Sequence, residues 1–117
     1  MGGDERLLPS ERVRKRAEFR AIQGSGKKVH TDSFLVFVLP QKEVARARLG
    51  ITVSKKVGSA HVRNRVKRLI REAFRRNKTL FPPGIDLVFV AKRTRMELEL
   101  PQVVREIQKL CKRYFAR

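Results

Sequence analysis

The chain has 117 residues and a formal net charge of +18, from 29 Lys and Arg against 11 Asp and Glu. Hydrophobic residues make up 41% of it, which is enough for one core and excludes a disordered basic tail. The single cysteine, Cys111, excludes a disulfide-stapled secreted domain and favours a reducing compartment. Because so much like charge lowers stability, we expect a polyanionic partner, which could be nucleic acid, an anionic membrane or an acidic protein.

Membrane insertion and secretion are both disfavoured by the pattern of the chain. The longest apolar run, residues 34–39, is far too short for a membrane span and ends at Pro40. The chain opens with the acidic pair Asp4 and Glu5, and no apolar stretch of a signal peptide follows them. We therefore expect a cytoplasmic protein with no membrane partner and no small-molecule substrate.

The first half of the chain predicts one helix and three strands. Residues 1–8 show no periodicity and are interpreted as a flexible N-terminal arm. A helix is predicted from Ser10, which can cap its first amides, to the glycines of the Gly24-Ser-Gly26 turn. Strands are predicted over residues 27–31, 33–39 and 46–54. The second strand is apolar at every position, so either both of its faces are covered or one face presents an aromatic ring to a partner.

The second half predicts a long helix, a strand and a final helix. The long helix runs from Ser59 to about Asn77, the strand covers residues 85–91, and the last helix covers residues 101–115. The element order is therefore α-β-β-β-α-β-α. Without repeats or a long linker, residues 1–117 are expected to form a single domain.

Half of the net charge lies in residues 54–78, which hold ten basic side chains and one acid. Wound as a helix, this segment places Val62, Val66, Leu69, Ile70 and Ala73 on one stripe, with Phe74 at its edge. The opposite face carries Asn64, Lys67, Arg68, Arg71, Arg75 and Lys78, with Arg63 and Arg65 on the flanks. Like charges at such spacings repel each other, whereas a polyanion converts the same charges into affinity through counterion release. The helix therefore predicts a face that binds nucleic acid.

The same segment, Val53 to Phe74, closely resembles the signature of the bacterial ribonuclease P protein subunit family. The matching motifs are Ser-Lys-Lys before a glycine turn, then Arg-Asn-Arg, then Lys-Arg-Leu-Ile-Arg on the helix. The resemblance extends over residues 6–116 and includes the strand Arg48-Leu-Gly-Ile-Thr-Val53 and the segment Gly84 to Lys92.

The resemblance implies a fold for the chain and separate roles for the protein and RNA subunits. The fold would be a two-layer α/β sandwich whose four-stranded mixed sheet contains a left-handed β-α-β crossover, the opposite of the usual hand. The function would be that of the protein subunit of a ribonucleoprotein endoribonuclease. In this family the RNA subunit, with bound magnesium, removes the 5′ leader of precursor tRNA, so no catalytic side chain is expected in the chain.

Two sets of RNA-binding residues follow from the resemblance. The set expected against the RNA subunit is Lys55, Lys56, Arg63, Asn64, Arg65, Lys67, Arg68 and Arg71. The set expected in a cleft for the single-stranded leader is Phe19, Phe37, Arg48, Thr52 and Ser54. Gln23 stands where some relatives carry a second aromatic residue, so base stacking in the cleft is expected to depend more on Phe19.

Two other functions remain open from the residues alone. A ribosomal or other structural RNA-binding protein would have the same length and charge, and only the central signature and the cleft argue against it. A self-sufficient enzyme is disfavoured because the chain has neither paired carboxylates nor a His-x-x-x-His spacing. His30, His61 and Cys111 are too scattered for a zinc site, so no metal is expected on the chain itself.

Overall fold

In the computed structural model, which describes residues 7–41, 46–93 and 97–115, the chain forms three α-helices and four β-strands. The helices are α1 (Arg16–Ser25), α2 (Ala60–Arg76) and α3 (Leu100–Tyr114). The strands are β1 (Lys27–His30), β2 (Phe34–Pro40), β3 (Arg48–Thr52) and β4 (Ile85–Ala91). The predicted element order is confirmed. No helix in this described part of the chain is long and apolar enough to cross a membrane.

The four strands form one mixed sheet in the order β1-β2-β4-β3. β2 pairs antiparallel with β1 and with β4, whereas β3 pairs parallel with β4. Val88 of β4 lies between Phe37 of β2 and Gly50 of β3. Parallel neighbours need a crossover connection, and α2 supplies it between β3 and β4. The left-handed sense expected for this crossover stays a prediction.

The sheet separates two apolar clusters of different size. The main core lies between the sheet and the helices α2 and α3, and it includes the fully buried rings of Phe34, Phe74 and Phe89. The second cluster lies under α1, and its buried members are Val13, Ile22, Phe37 and Val88. Both faces of β2 are therefore covered, which explains why that strand does not alternate between apolar and polar residues.

The predicted start of the first helix is wrong. Ser10 lies in a single 3₁₀ turn, Pro9–Glu11, and the chain then runs extended until α1 begins at Arg16. Arg12 bridges Leu49 in parallel, and the Val13 amide donates to the Leu49 carbonyl at 2.9 Å. Pairing with the edge of the sheet, a long-range contact, therefore replaces the first turns of the helix.

The N-terminal arm and the stripe of the long helix also need correction. Residues 1–6 of the predicted arm lie outside the described residues, but Leu7 packs against the main core and does not belong to an arm. Ser59, predicted as the first residue of the long helix, instead lies just before α2 and caps it, with its side chain accepting from the Val62 amide. Val62 itself is 41% exposed, because it packs toward the Gly58 turn and not into the main core.

Candidate nucleic-acid interface

A groove runs along the outer edge of β3, between the chain that leads into α1 and the side of α2. It consists of two adjoining cavities of about 450 and 390 Å³ that share Arg14, Phe19, Ile51 and Lys67. The first cavity is also lined by Leu7, Pro9, Arg12, Val13, Leu49 and Arg71, and the second by Arg16, Thr52 and Val53. We call this feature the β3 groove.

The charge of the β3 groove is uniformly positive. Its described lining contains five cationic side chains and no carboxylate: Arg12, Arg14, Arg16, Lys67 and Arg71. Three of them come from the extended lead-in to α1 and its first residue, and two come from α2. Cations from two separate elements that face one groove suit a polyanionic chain lying between them.

Phe19 supplies the aromatic surface of the β3 groove. Its side chain is half-buried, and its ring lies directly over Gly50 of β3. A Cβ atom added to Gly50 would stand only 2.7 Å from Cε1 of this ring, so a glycine is required for the close approach. A half-exposed ring in a groove of cations is the arrangement that stacks unpaired bases with little sequence preference.

The other residues predicted for the leader cleft occupy three different environments. Thr52 lines the groove, and Ser54 is exposed just beyond the end of β3. Phe37 is only 7% exposed and lies in the second cluster under α1, so its ring supports α1 from below. Phe19 and Thr52 therefore meet in the groove, whereas Phe37 does not line it.

Arg48 is held inside the protein by two carboxylates. Its Nε and Nη2 each donate to Asp86 at 2.7 Å, and its Nη1 donates to Glu18 at 2.9 Å. The hydrogen bonds with Asp86 and then Glu18 raise the pKa of Arg48 above its ordinary value. Burial raises the pKa of Glu18, but hydrogen bonds from the Lys15 amide and Arg48 lower it below its usual value. Arg48 thus commits three of its five N–H donors to carboxylates, and it does not line either cavity of the β3 groove.

The residues predicted to contact the RNA subunit lie on and just before α2. Arg68, Arg71 and Asn64 are exposed on the helix, and Lys67 is partly buried at the groove. Lys55 and Lys56 are exposed in the 3₁₀ turn Lys55–Val57 that precedes the helix. Asn64, Lys67, Arg68 and Arg71 therefore share one continuous surface of the helix.

The two flanking arginines of α2 are less accessible than the rest of this set. Arg65 donates to the Leu98 carbonyl at 2.6 Å and approaches Glu97 and Glu99 at 3.5 and 3.4 Å. Arg63 is half-buried, and its Nε has no hydrogen-bond partner among the residues that the structure describes. The structure therefore brings Arg68, Arg71 and Lys67 to the accessible side of α2 and leaves Arg65 tied to the segment before α3.

The sequence predicted Phe19, Thr52, Lys67 and Arg71 as site residues, and all four line the β3 groove. It assigned no site role to the arginines that complete the groove, Arg12, Arg14 and Arg16. The cluster of arginines was a visible signal, but its position depended on the extended backbone of residues 12–15, which only the pairing with β3 creates.

The described residues contain no cluster of three or more His, Cys, Asp or Glu that could hold a metal ion. Glu18 and Asp86 both bond Arg48, so these two carboxylates do not fit a magnesium site. Cys111 is buried in the main core, and this burial raises the pKa of its thiol to about 12. A thiol of this kind is a packing group, since thiolate is the reactive and metal-binding form.

The fold and the groove define a small α/β protein built to bind a polyanionic chain, with one basic helix and one basic groove on adjoining surfaces. The family model for ribonuclease P matches residues 7–115. The chain therefore belongs to the ribonuclease P protein family, and the resemblance of its central segment is confirmed.

Proteins similar to this chain agree with that assignment. The ribonuclease P protein component of Desulfovibrio desulfuricans is 47% identical over 111 residues, which cover 92% of this chain and 85% of that protein. The Staphylococcus aureus RNase P protein superposes with a TM-score of 0.80 at 32% identity, covering 91% of this chain and 96% of that one. The Thermotoga maritima RNase P protein gives 0.77 at 35% identity, covering 88% and 96%. The predicted fold class is therefore confirmed.

Proposed function

We propose that this protein component of ribonuclease P binds the RNA subunit through the exposed face of α2 and holds the single-stranded 5′ leader of precursor tRNA in the β3 groove. The observation that carries the proposal is the groove itself, where Phe19 faces five cations from two elements. Base stacking and phosphate contacts together bind a single strand without reading its sequence, which suits leaders of varied sequence.

The α2 face supports the second half of the proposal. Arg68 and Arg71 are exposed, and no carboxylate is bonded to either of them among the described residues. Glu72, the one acid of α2, pairs instead with Arg75 and Arg76 at the end of the helix. The helix thus keeps unneutralised arginines on the surface that an RNA backbone would approach, and Lys67 and Arg71 extend that surface into the β3 groove.

The chain contributes binding and orientation, and hydrolysis is assigned to the RNA subunit. Magnesium, bound mainly by that RNA, would activate the attacking water and stabilise the leaving oxygen. The carboxylates described near α1 are committed to Arg48, so the chain's own role is to place leader and RNA against each other. A cytoplasmic location follows from these two partners.

The experiment that tests the proposal compares precursor and mature tRNA. Phe19→Ala in the reconstituted holoenzyme should weaken binding of precursor tRNA about tenfold, since one stacked base contributes about 1–3 kcal/mol. Mature tRNA, which has no leader, should bind as before. Leu80→Ala, which truncates an exposed side chain away from the groove, is the matched control. Equal losses for both tRNAs would show that Phe19 only packs against the sheet.

A further inference from the structure

We propose that Arg48 and Glu18 are positioning residues that set Phe19 in the β3 groove, and that Arg48 acts on the leader through this ring and not by touching RNA. The inference rests on the proposed function of the groove. The ion pair of Arg48 with Glu18 joins β3 to α1, and it thereby fixes the position of the Phe19 ring.

The anchor of this arrangement is a buried carboxylate. Asp86 of β4 is fully buried and lies in register with Arg48 of the neighbouring parallel strand. The two side chains form a bidentate pair, with both N···O distances at 2.7 Å. Such a planar pair fixes the direction of the guanidinium as well as its place, because two parallel hydrogen bonds leave it no rotation.

The fixed guanidinium then holds the first turn of α1. Its remaining Nη1 donates to Oε2 of Glu18 at 2.9 Å, while Oε1 of Glu18 accepts from the Lys15 amide at 3.2 Å. One carboxylate therefore caps the start of α1 and ties it to the sheet. The Phe19 amide donates to the Lys15 carbonyl at 3.1 Å, so the next residue begins inside the same turn.

Two consecutive residues of α1 thus meet two positions on one face of β3. Glu18 meets Arg48, and Phe19 meets Gly50, two residues further along the strand. The ring of Phe19 lies so close to Gly50 that no side chain would fit between them, and this contact fixes the position of the ring on β3. The ion pair fixes the position of the first turn of α1 above the same strand. Loss of the ion pair leaves the ring without its second point of attachment, and the second cluster under α1 has only four buried residues to replace it.

The test is a mutant cycle in the reconstituted holoenzyme, with affinity for precursor and mature tRNA as the readouts. Glu18→Gln keeps an oxygen for the Lys15 amide but loses the ion pair, and it lies at a site whose side chain is 31% exposed, so folding is retained. Arg48→Lys keeps a cation beside Asp86 but cannot span both carboxylates. Asp32→Asn, in the exposed turn between β1 and β2, changes the net charge as Glu18→Gln does and is the matched control.

We expect Glu18→Gln and Arg48→Lys each to weaken the binding of precursor tRNA about three- to tenfold. The binding of mature tRNA should not change, and Asp32→Asn should change the binding of neither tRNA. In a Phe19→Ala background neither change should weaken the binding of precursor tRNA further, because the ring through which they act has been removed. If Arg48→Lys still weakens it there, Arg48 touches the leader directly and the positioning role is overturned.

The remaining outcomes separate this inference from the proposed function. A leader-specific loss with Phe19→Ala but with neither Glu18→Gln nor Arg48→Lys overturns the positioning role and leaves the proposed function standing. No leader-specific loss with any variant, Phe19→Ala included, overturns both. Equal losses for precursor and mature tRNA with Glu18→Gln would show that the ion pair serves stability alone.

Discussion

The two faces of the sheet differ in how completely they are covered. On one face α2 and α3 enclose the main core, in which the rings of Phe34 and Phe89 meet edge to face with centroids 5.7 Å apart. On the other face α1 contributes Ile22 to the second cluster, which has four buried residues in the described part of the chain, and it leaves Phe19 half-exposed beside the β3 groove. One face therefore supplies most of the stability, while the incomplete cover of the other face leaves room for a ligand.

The largest expected effect compares two phenylalanines on opposite faces of β2. Phe34→Ala in the main core should reduce the free energy of unfolding by about 4 kcal/mol, since the fully buried ring leaves a cavity. Phe37→Ala should cost less, about 3 kcal/mol, because a single short helix can collapse onto the gap. Urea unfolding of both variants measures the difference. A larger loss for Phe37→Ala would reverse the assignment of stability to the main core.

The second prediction concerns Glu106 of α3, a buried carboxylate beside the main core. It accepts hydrogen bonds from the Thr31 and Ser33 hydroxyls, the Ser33 amide and the Gln102 side chain. Burial raises the pKa of Glu106, but these bonds, led by that from the Ser33 side chain, lower it below its usual value. Each carboxylate oxygen accepts two of these four bonds, so the NH2 group of Glu106→Gln faces two donors, and the change should cost about 2 kcal/mol at neutral pH.

The lowered pKa of Glu106 determines how the free energy of unfolding changes with pH. A depressed pKa in the folded state stabilises the protein above the unfolded value and loses that contribution as the pH falls through the folded value. The unmodified protein should therefore lose stability below about pH 4–5, and Glu106→Gln should lack that part of the loss. Urea unfolding over a pH series measures both curves. Parallel curves would show that Glu106 stays in one ionisation state throughout.

The third prediction moves from stability to charge. Arg71→Ala should flatten the slope of log K against log salt for the RNA subunit by somewhat under one unit, as should Arg68→Ala. Arg105→Ala, on an exposed position of α3, removes the same charge from a different helix and should leave the slope unchanged. Fluorescence titrations at several salt concentrations measure the slope. A uniform effect of all three changes would mean that net charge, and not the α2 face, governs binding.

The sequence predicted those parts of this molecule that depend on local pattern. The periodicity of residues 60–76 located α2 to within a residue at each end, and its stripe correctly placed Val66, Ile70 and Ala73 in the core. Ser59 itself was predicted as the first helical residue, one position inside its actual place as the N-cap of α2. Phe19 was expected at a leader cleft by resemblance, and it lies in the β3 groove.

What the sequence missed depends on contacts between distant residues. The extended backbone of residues 12–15 follows from pairing with Leu49, and no pattern within the segment shows it. The commitment of Arg48 to Asp86 follows from the parallel register of β3 and β4, across 38 positions of sequence. Arg48 was therefore interpreted as a groove cation, although its polar strand position also suits a partner within the sheet.

The smallest expected effects on stability come from substitutions at two glycines, Gly50 in β3 and Gly24 in α1. Comparing them distinguishes a change in the β3 groove from a change in the rigidity of α1. At Gly50 an added Cβ would meet Phe19 at 2.7 Å, so Gly50→Ala should displace the ring. The half-exposed ring can move out of this place toward solvent, but the added atom also lies 3.1 Å from Cβ of the buried Val13, so the loss of stability should be about 1 kcal/mol. Precursor tRNA should nevertheless bind more weakly, and mature tRNA should not.

Gly24 provides the matched control within α1. An added Cβ there meets nothing within 4 Å, and Gly24→Ala should stabilise the protein by about 0.5 kcal/mol through helix propensity alone. Thermal unfolding and tRNA titrations on both variants complete the comparison. If Gly24→Ala weakened precursor tRNA as much as Gly50→Ala, the rigidity of α1 would control the groove. If only Gly50→Ala weakens the binding of precursor tRNA, then leader binding depends on the position of the Phe19 ring over β3.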